Sequence, residues 1–166
     1  MLPIKTVPIL LARDHKCKEI IQQNHYIQIY IMSEIIDNLY ISDRKHVTFW
    51  VSNYDLIVNC TPDIPFPLLC RATIRIPVRD HPSHAKKMLQ IIRETHVLEA
   101  IHAHLQEGKT VLVHCHAGIQ RSCAVVACYL VKYHGLTPDQ AISYIKVQRP
   151  IAFFNGVNFR ETIETI

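Results

Sequence analysis

An α/β fold around a small, mostly parallel sheet is predicted for this chain. Short apolar runs rich in β-branched residues alternate with segments of helical periodicity. The only four glycines, Gly108, Gly118, Gly135 and Gly156, stand where those segments end or loops begin. The 166 residues are 49% hydrophobic and 19% charged, which fits one globular domain with its own core and excludes a disordered or fibrous chain. Residues 34–166 read as that domain, and residues 1–33 as an N-terminal extension that could dock on a second copy to make a homodimer.

In the extension, Asp14 to Gln23 has the pattern of a short helix, and Tyr26 to Met32 alternates like a strand. Ile35 to Ile41 reads as an edge hairpin. Asp55-Leu56-Ile57-Val58-Asn59-Cys60, closed by Thr61-Pro62-Asp63, reads as a buried strand and a turn. Thr73 to Pro77 alternates as a half-exposed strand does. Ser83 is the expected N-cap of a helix whose apolar positions run from Ala85 through Met88 and Ile92 to Leu105, with Gly108 stopping it. Thr110 to His114 shows no alternation, the mark of a strand covered on both faces. Ser122 to Tyr133 is apolar nearly all round, so that helix is packed in the core and ends at Gly135. Thr137-Pro138 then starts a helix that runs to about Gln148.

Composition bounds the function. The formal charge of +4 suits anionic substrates without indicating nucleic acid. Apolar runs such as Val7 to Ala12 are far short of a membrane span, and the N-terminus lacks a secretory pattern. None of the six cysteines forms C-x-x-C, which favours a reducing, cytoplasmic setting over a disulfide framework. His81, His84, His102, His104, His114 and His116 give no spacing that sets three ligands on one face, so no metal or other cofactor is expected.

The chemistry lies in His114-Cys115-His116-Ala117-Gly118-Ile119-Gln120-Arg121-Ser122, between a buried strand and a buried helix. Backbone N–H groups of residues 116–121 can converge into an anion-binding nest capped by a helix N-terminus. Gly118 permits a positive φ or a close approach. The planar guanidinium of Arg121 can hold two phosphate oxygens at once, and Cys115 at the base meets surroundings that favour a thiolate nucleophile. Ser122 can donate to that sulfur, and His114 can brace the loop. A thiolate attacking phosphorus needs a general acid for the departing oxygen. Asp80, in a strand-to-helix loop, and Asp63 are the competing carboxylates.

These motifs resemble the compact cysteine-dependent dual-specificity protein phosphatases, similar to the poxvirus H1-type and other viral members. The likeness covers residues 34–164: Ile36 to Ile41, Leu56 to Cys60, Ile76-Pro77-Val78-Arg79-Asp80, the His114–Ser122 signature, and Arg149-Pro150. It implies that Cys115 is the nucleophile, Arg121 the phosphate and transition-state ligand, Asp80 the acid, and Ser122 an aid to thiolate departure. The expected substrates are phosphorylated proteins, at tyrosine and at serine or threonine, with no metal required. The chain departs from the family pattern at three places. Cys123 follows Arg-Ser where a small residue is usual, and it is either a packing thiol or a redox partner of Cys115. Phe153 to Phe159 replaces the family's Pro-Asn and is one residue longer, which leaves the bracing role of Asn155 open. Ser42 stands where Gly is usual. The rival readings are an RNA 5′-triphosphatase on the same scaffold, whose relatives favour Thr at the position of Ser122, and a phosphate-binding pseudophosphatase. The pseudophosphatase would normally lack the Cys, Arg or acid that this chain retains.

Overall fold

The computed structural model describes residues 32–50 and 53–166, with backbone alone at 48–50. The helix expected over Asp14 to Gln23, the strand from Tyr26 and the docking arm lie outside those residues.

Strands β1 (Met32–Ile36) and β2 (Leu39–Ser42) form the expected hairpin, paired antiparallel. Asn38 turns it with φ of 65°, a conformation that asparagine tolerates better than most residues. After α1 (Arg44–Trp50) come β3 (Leu56–Asn59), β4 (Ala72–Arg75) and, later, β5 (Val111–His114). The five strands lie in the order β1-β2-β5-β3-β4, with every pair parallel except the hairpin. Only β1 of the hairpin is at an edge; β2 is paired on both sides.

The strand periodicity explains the layers. Leu56 and Val58 of β3 and Val111 and Val113 of β5 face the main core. Ile57 and Leu112, between them, face a smaller core with Val47 of α1 and Tyr54. A run buried on both faces has no polar position, so it shows no alternation. Helix α1 was not anticipated from sequence. Its start is capped by Asp43, whose Oδ1 accepts from the backbone N–H groups of Lys45 and His46 at 2.9 and 3.0 Å.

The long helix expected from Ala85 to Leu105 is two helices, α2 (Ala85–Thr95) and α3 (Val97–Gln106). They break at His96, which adopts the left-handed conformation with φ of 50°. Ala85, Met88 and Ile92 keep one phase, but Val97, Leu98 and Ile101 keep another, and the break lets both sets reach the core. The cap also differs from expectation. His81, not Ser83, caps the 3₁₀ turn Pro82–His84, its Nδ1 accepting from the Ser83 N–H at 3.2 Å.

Helix α4 (Arg121–His134) is buried from Arg121 through Leu130 and contacts β2, β5, α3 and the last two helices. Those are α5 (Pro138–Gln148), opened by a Thr137/Gln140 capping box, and α6 (Arg160–Thr165). Among the described residues no helix is long and apolar enough to cross a membrane.

Candidate active site

The site forms at the carboxyl end of the parallel strands, where loops from different strands converge. β5 ends at His114 and runs into residues 115–120 before α4 begins. The end of β3 is tied to it by the Cys60 N–H donating to the His114 carbonyl at 2.8 Å. The chain beyond β4 is tied in turn by the Ile76 N–H to the Asn59 carbonyl at 2.9 Å, and it leads directly to Asp80.

The carbonyls of residues 116–120 are all engaged by groups outside the loop. His116 O accepts from the Arg44 N–H at 3.2 Å, and Ile119 O from the Phe153 N–H at 2.8 Å. Ala117 O and Gly118 O accept from Arg149 Nη2 and Nε at 3.4 and 2.6 Å. Gln120 O accepts from the Ala124 N–H at 2.8 Å, inside α4. Because a trans peptide sets C=O and the next N–H on opposite sides, carbonyls drawn outward turn the following amides inward. The partners that hold these carbonyls thus favour the inward turn of the loop amides that an anion-binding nest requires. Gly118 has φ of +65°, and a Cβ there would stand 2.6 Å from Arg149 Nη2 and 2.8 Å from Ser42 O. Glycine is required for the turn and for packing against β2 and Arg149, behind the nest.

Cys115 is buried at the base of the loop. Its Sγ accepts from the Gly118 N–H at 3.2 Å and lies 3.3 Å from Ser122 Oγ. Both partners can donate to a sulfur anion. His114 is fully buried, with no hydrogen-bond partner on either ring nitrogen among the described residues. Burial pulls its pKa down to about 4; a weaker opposing pull comes from the Cys115 backbone, at a geometry short of a hydrogen bond. His114 is thus a neutral wall behind the loop. Cys123 is also buried, its thiol pushed well up by desolvation and donating to Gly118 O at 3.4 Å.

Arg121 folds back over the bowl and is 6% exposed. Its Nη1 donates to Val78 O at 3.3 Å, and its Nε forms a 3.6 Å ion pair with Asp80 Oδ2. Among the described residues that Nε has no hydrogen bond of its own, so a buried guanidinium donor is available to an incoming oxyanion. Asp63 lies toward the other expected loop residue, His116, whose Nε2 is 3.0 Å from Asp63 Oδ2. Desolvation pushes the Asp63 carboxyl up, but the His116 contact outweighs it and holds the group below its usual range. The two carboxylates are therefore separated by environment: Asp80 beside Arg121, Asp63 beside His116. Next to His116 a cleft of about 500 Å³ is lined by Arg44, Lys45, Asp63 and Phe66 among others.

Residues 39–165 match the family model described as dual specificity phosphatase, catalytic domain. The chain belongs to this family. The tyrosine-protein phosphatase yvh1 of Schizosaccharomyces pombe is 30% identical over 146 residues, which cover 84% of this chain and 43% of that protein. The phosphatidylglycerophosphate phosphatase PTPMT1 of Arabidopsis thaliana is 39% identical over 67 residues, 40% of this chain and 20% of that protein. The crystal structure of human DUSP28 superposes with a TM-score of 0.70 at 26% identity, covering 81% of this chain and 90% of that one. The chain thus spans less than half the length of these two curated relatives.

Three residues of this phosphatase domain that hold the site together were missed by sequence reasoning. Arg149, in sequence only part of the Arg149-Pro150 motif, is fully buried and also donates from Nη1 to Ser33 Oγ at 3.1 Å. Gln120 is expected from sequence to serve the loop through its backbone alone. Its side chain donates to Phe154 O and Gly156 O at 3.1 and 2.8 Å and accepts from the Asn158 N–H at 3.1 Å. Asn158 Nδ2 donates to Asp80 Oδ1 at 2.9 Å. Asn155, whose bracing role was open, is exposed and makes no side-chain hydrogen bond among the described residues; Gln120 braces this segment instead. Cysteine and arginine at fixed spacing announce themselves, whereas a glutamine or asparagine in a loop carries no such signal.

Proposed function

We propose that this chain hydrolyses phosphate monoesters on proteins, at phosphotyrosine and at phosphoserine or phosphothreonine, through a cysteinyl-phosphate intermediate. The observation that carries this reading is the loop of outward-held carbonyls, with Sγ of Cys115 at its base and an unsatisfied Arg121 Nε at its rim.

In the first step the Cys115 thiolate donates its electron pair to phosphorus. As the S–P bond forms, the P–O bond to the leaving group breaks, and that oxygen takes a proton from Asp80. Arg121 and the amides following the outward carbonyls bear the equatorial oxygens, whose charge they stabilise electrostatically. In the second step water attacks phosphorus, Asp80 takes its proton, and the pair returns to sulfur. Ser122, 3.3 Å from Sγ, supports the departing thiolate. His114 supports the loop from behind.

The breadth of substrate is supported by family membership. A reducing compartment such as the cytoplasm fits a nucleophile that works only as a free thiolate.

A panel of phosphotyrosyl and phosphothreonyl peptides and triphosphate-ended RNA, assayed with chelator present, tests the proposal. Phosphate release from both peptide classes is expected, together with its loss in Cys115→Ser. Turnover retained by Cys115→Ser, or release from RNA alone, would overturn it.

A further inference from the structure

We infer that Asn158 is the positioning residue of the acid step: it holds one oxygen of Asp80 as an acceptor, so that the other, facing Arg121, carries the transferable proton. The inference rests on the reading of Asp80 as the acid and adds how this chain aims it.

The geometry is specific. Asp80 Oδ1 accepts from Asn158 Nδ2 at 2.9 Å, while Oδ2 faces Arg121 Nε at 3.6 Å. A protonated carboxyl has one O–H and one acceptor oxygen. With a donor already on Oδ1, the proton belongs on Oδ2, the oxygen turned toward the bowl. On transfer, the leaving oxygen keeps the electron pair of the broken P–O bond and takes that proton. Asp80 becomes a carboxylate still held by Asn158, ready to accept the proton of the attacking water at the same oxygen.

Asn158 is itself fixed to the phosphate loop. Its backbone N–H donates to Gln120 Oε1 at 3.1 Å, and Gln120, immediately before Arg121, is only 6% exposed. The same amide ties down Phe154 O and Gly156 O, and the Phe153 N–H donates to Ile119 O at 2.8 Å. The backbone needs these ties, because Phe153, Asn155 and Gly156 all have positive φ, at 55°, 61° and 115°. This segment is the one that departs in length from the family pattern. Phosphate loop, acid loop and the segment before α6 are thereby set in one hydrogen-bonded frame running Gln120, Asn158, Asp80, Arg121.

A positioning role for the acid has a readout that a structural role lacks. Protonation matters for a poor leaving group and little for a good one. Asn158→Ala, and the near-isosteric Asn158→Leu as a second variant, are assayed beside Asp80→Asn on phenyl phosphate and on 4-nitrophenyl phosphate. For each Asn158 variant kcat should fall about tenfold or more on phenyl phosphate and change by less than about twofold on 4-nitrophenyl phosphate, with KM unchanged. Added to Asp80→Asn, the Asn158 change should have no further effect on kcat. Equal losses on both substrates, or no loss, would overturn the positioning role while the acid reading stood, provided Asp80→Asn alone discriminated between the substrates. Failure of Asp80→Asn to discriminate would instead remove the acid reading itself.

Discussion

Arg149 Nε donates to the carbonyl of Gly118 at 2.6 Å, across 31 positions of sequence. With Ala117 O and Ser33 Oγ as further acceptors, one planar guanidinium ties the nest to β1 and to the end of α5. A lysine has a single point of charge and cannot serve that fork. Arg149→Lys should lower stability by about 3 kcal/mol, because buried carbonyls lose their donors. It should also lower kcat/KM on any aryl phosphate. Urea denaturation and steady-state kinetics check this; a variant with wild-type stability and kinetics would show that the loop holds its shape unaided.

Gly118 and Gly108 separate crowding from backbone strain. Both have positive φ, at +65° and +70°, but a Cβ at Gly108 meets nothing within 4 Å. Gly108→Ala should therefore cost only the left-handed strain, about 1 kcal/mol. At Gly118 the added methyl meets the backbone of Ser42 at 2.8 Å, which cannot step aside. Gly118→Ala should cost at least about 3 kcal/mol and abolish turnover. Equal losses in Tm for the two variants would contradict the packing argument.

Those two residues also mark how much was legible beforehand. Gly118, Cys115 and Arg121 were readable because their spacing lies within one short loop between a strand and a helix, each with its own pattern. The buried strands were readable because Leu56 to Asn59 and Val111 to His114 are covered on both faces, and their composition says so. The role of Arg149 was not, because its acceptors are main-chain carbonyls remote in sequence and any residue could have supplied those. The break at His96 was hidden by a polar pair, Thr95-His96, at which the apolar phase shifts without a glycine or proline to mark it. Helix α1 carries its cap at Asp43, but its seven residues are too few for a period to show.

Stability should fall in mild acid because of His114. An unfolded chain binds a proton at this histidine near pH 6.5, whereas the folded protein keeps the ring neutral down to about 4. Between those values the unfolded state holds more protons, so the contribution is complete above 6.5 and is lost progressively as pH falls toward 4. The gap corresponds to about 3 kcal/mol. Burial pulls His46 and His134 down too, in the same sense. Asp55, held near 2 chiefly by the Thr110 backbone N–H and by Arg71, adds a loss of the same sign that starts near pH 5 and grows below its ordinary 3.8. Unfolding free energies of wild type and His114→Asn between pH 7 and 4.5 give the test. The variant should show the shallower slope, and identical slopes would remove His114 as the cause.

Asp63 and Asp80 should behave differently despite their common chemistry. Asp63 lies 3.0 Å from His116 and is 61% exposed at its side chain, so its ion pair is well solvated. An ion pair so exposed is screened by solvent, so Asp63→Asn should change kcat/KM by no more than about fivefold. Removing a negative charge from beside the bowl also removes repulsion toward a phosphate dianion, so KM should fall slightly if it moves at all. Asp80→Asn should lower kcat by about a hundredfold or more on phenyl phosphate, the ordinary scale for a lost general acid. Measured side by side on phenyl phosphate, the larger loss identifies the acid. Were Asp63→Asn the more damaging change, the proton would come from the His116 side of the bowl, and the ion pair between Arg121 and Asp80 would be a structural contact alone.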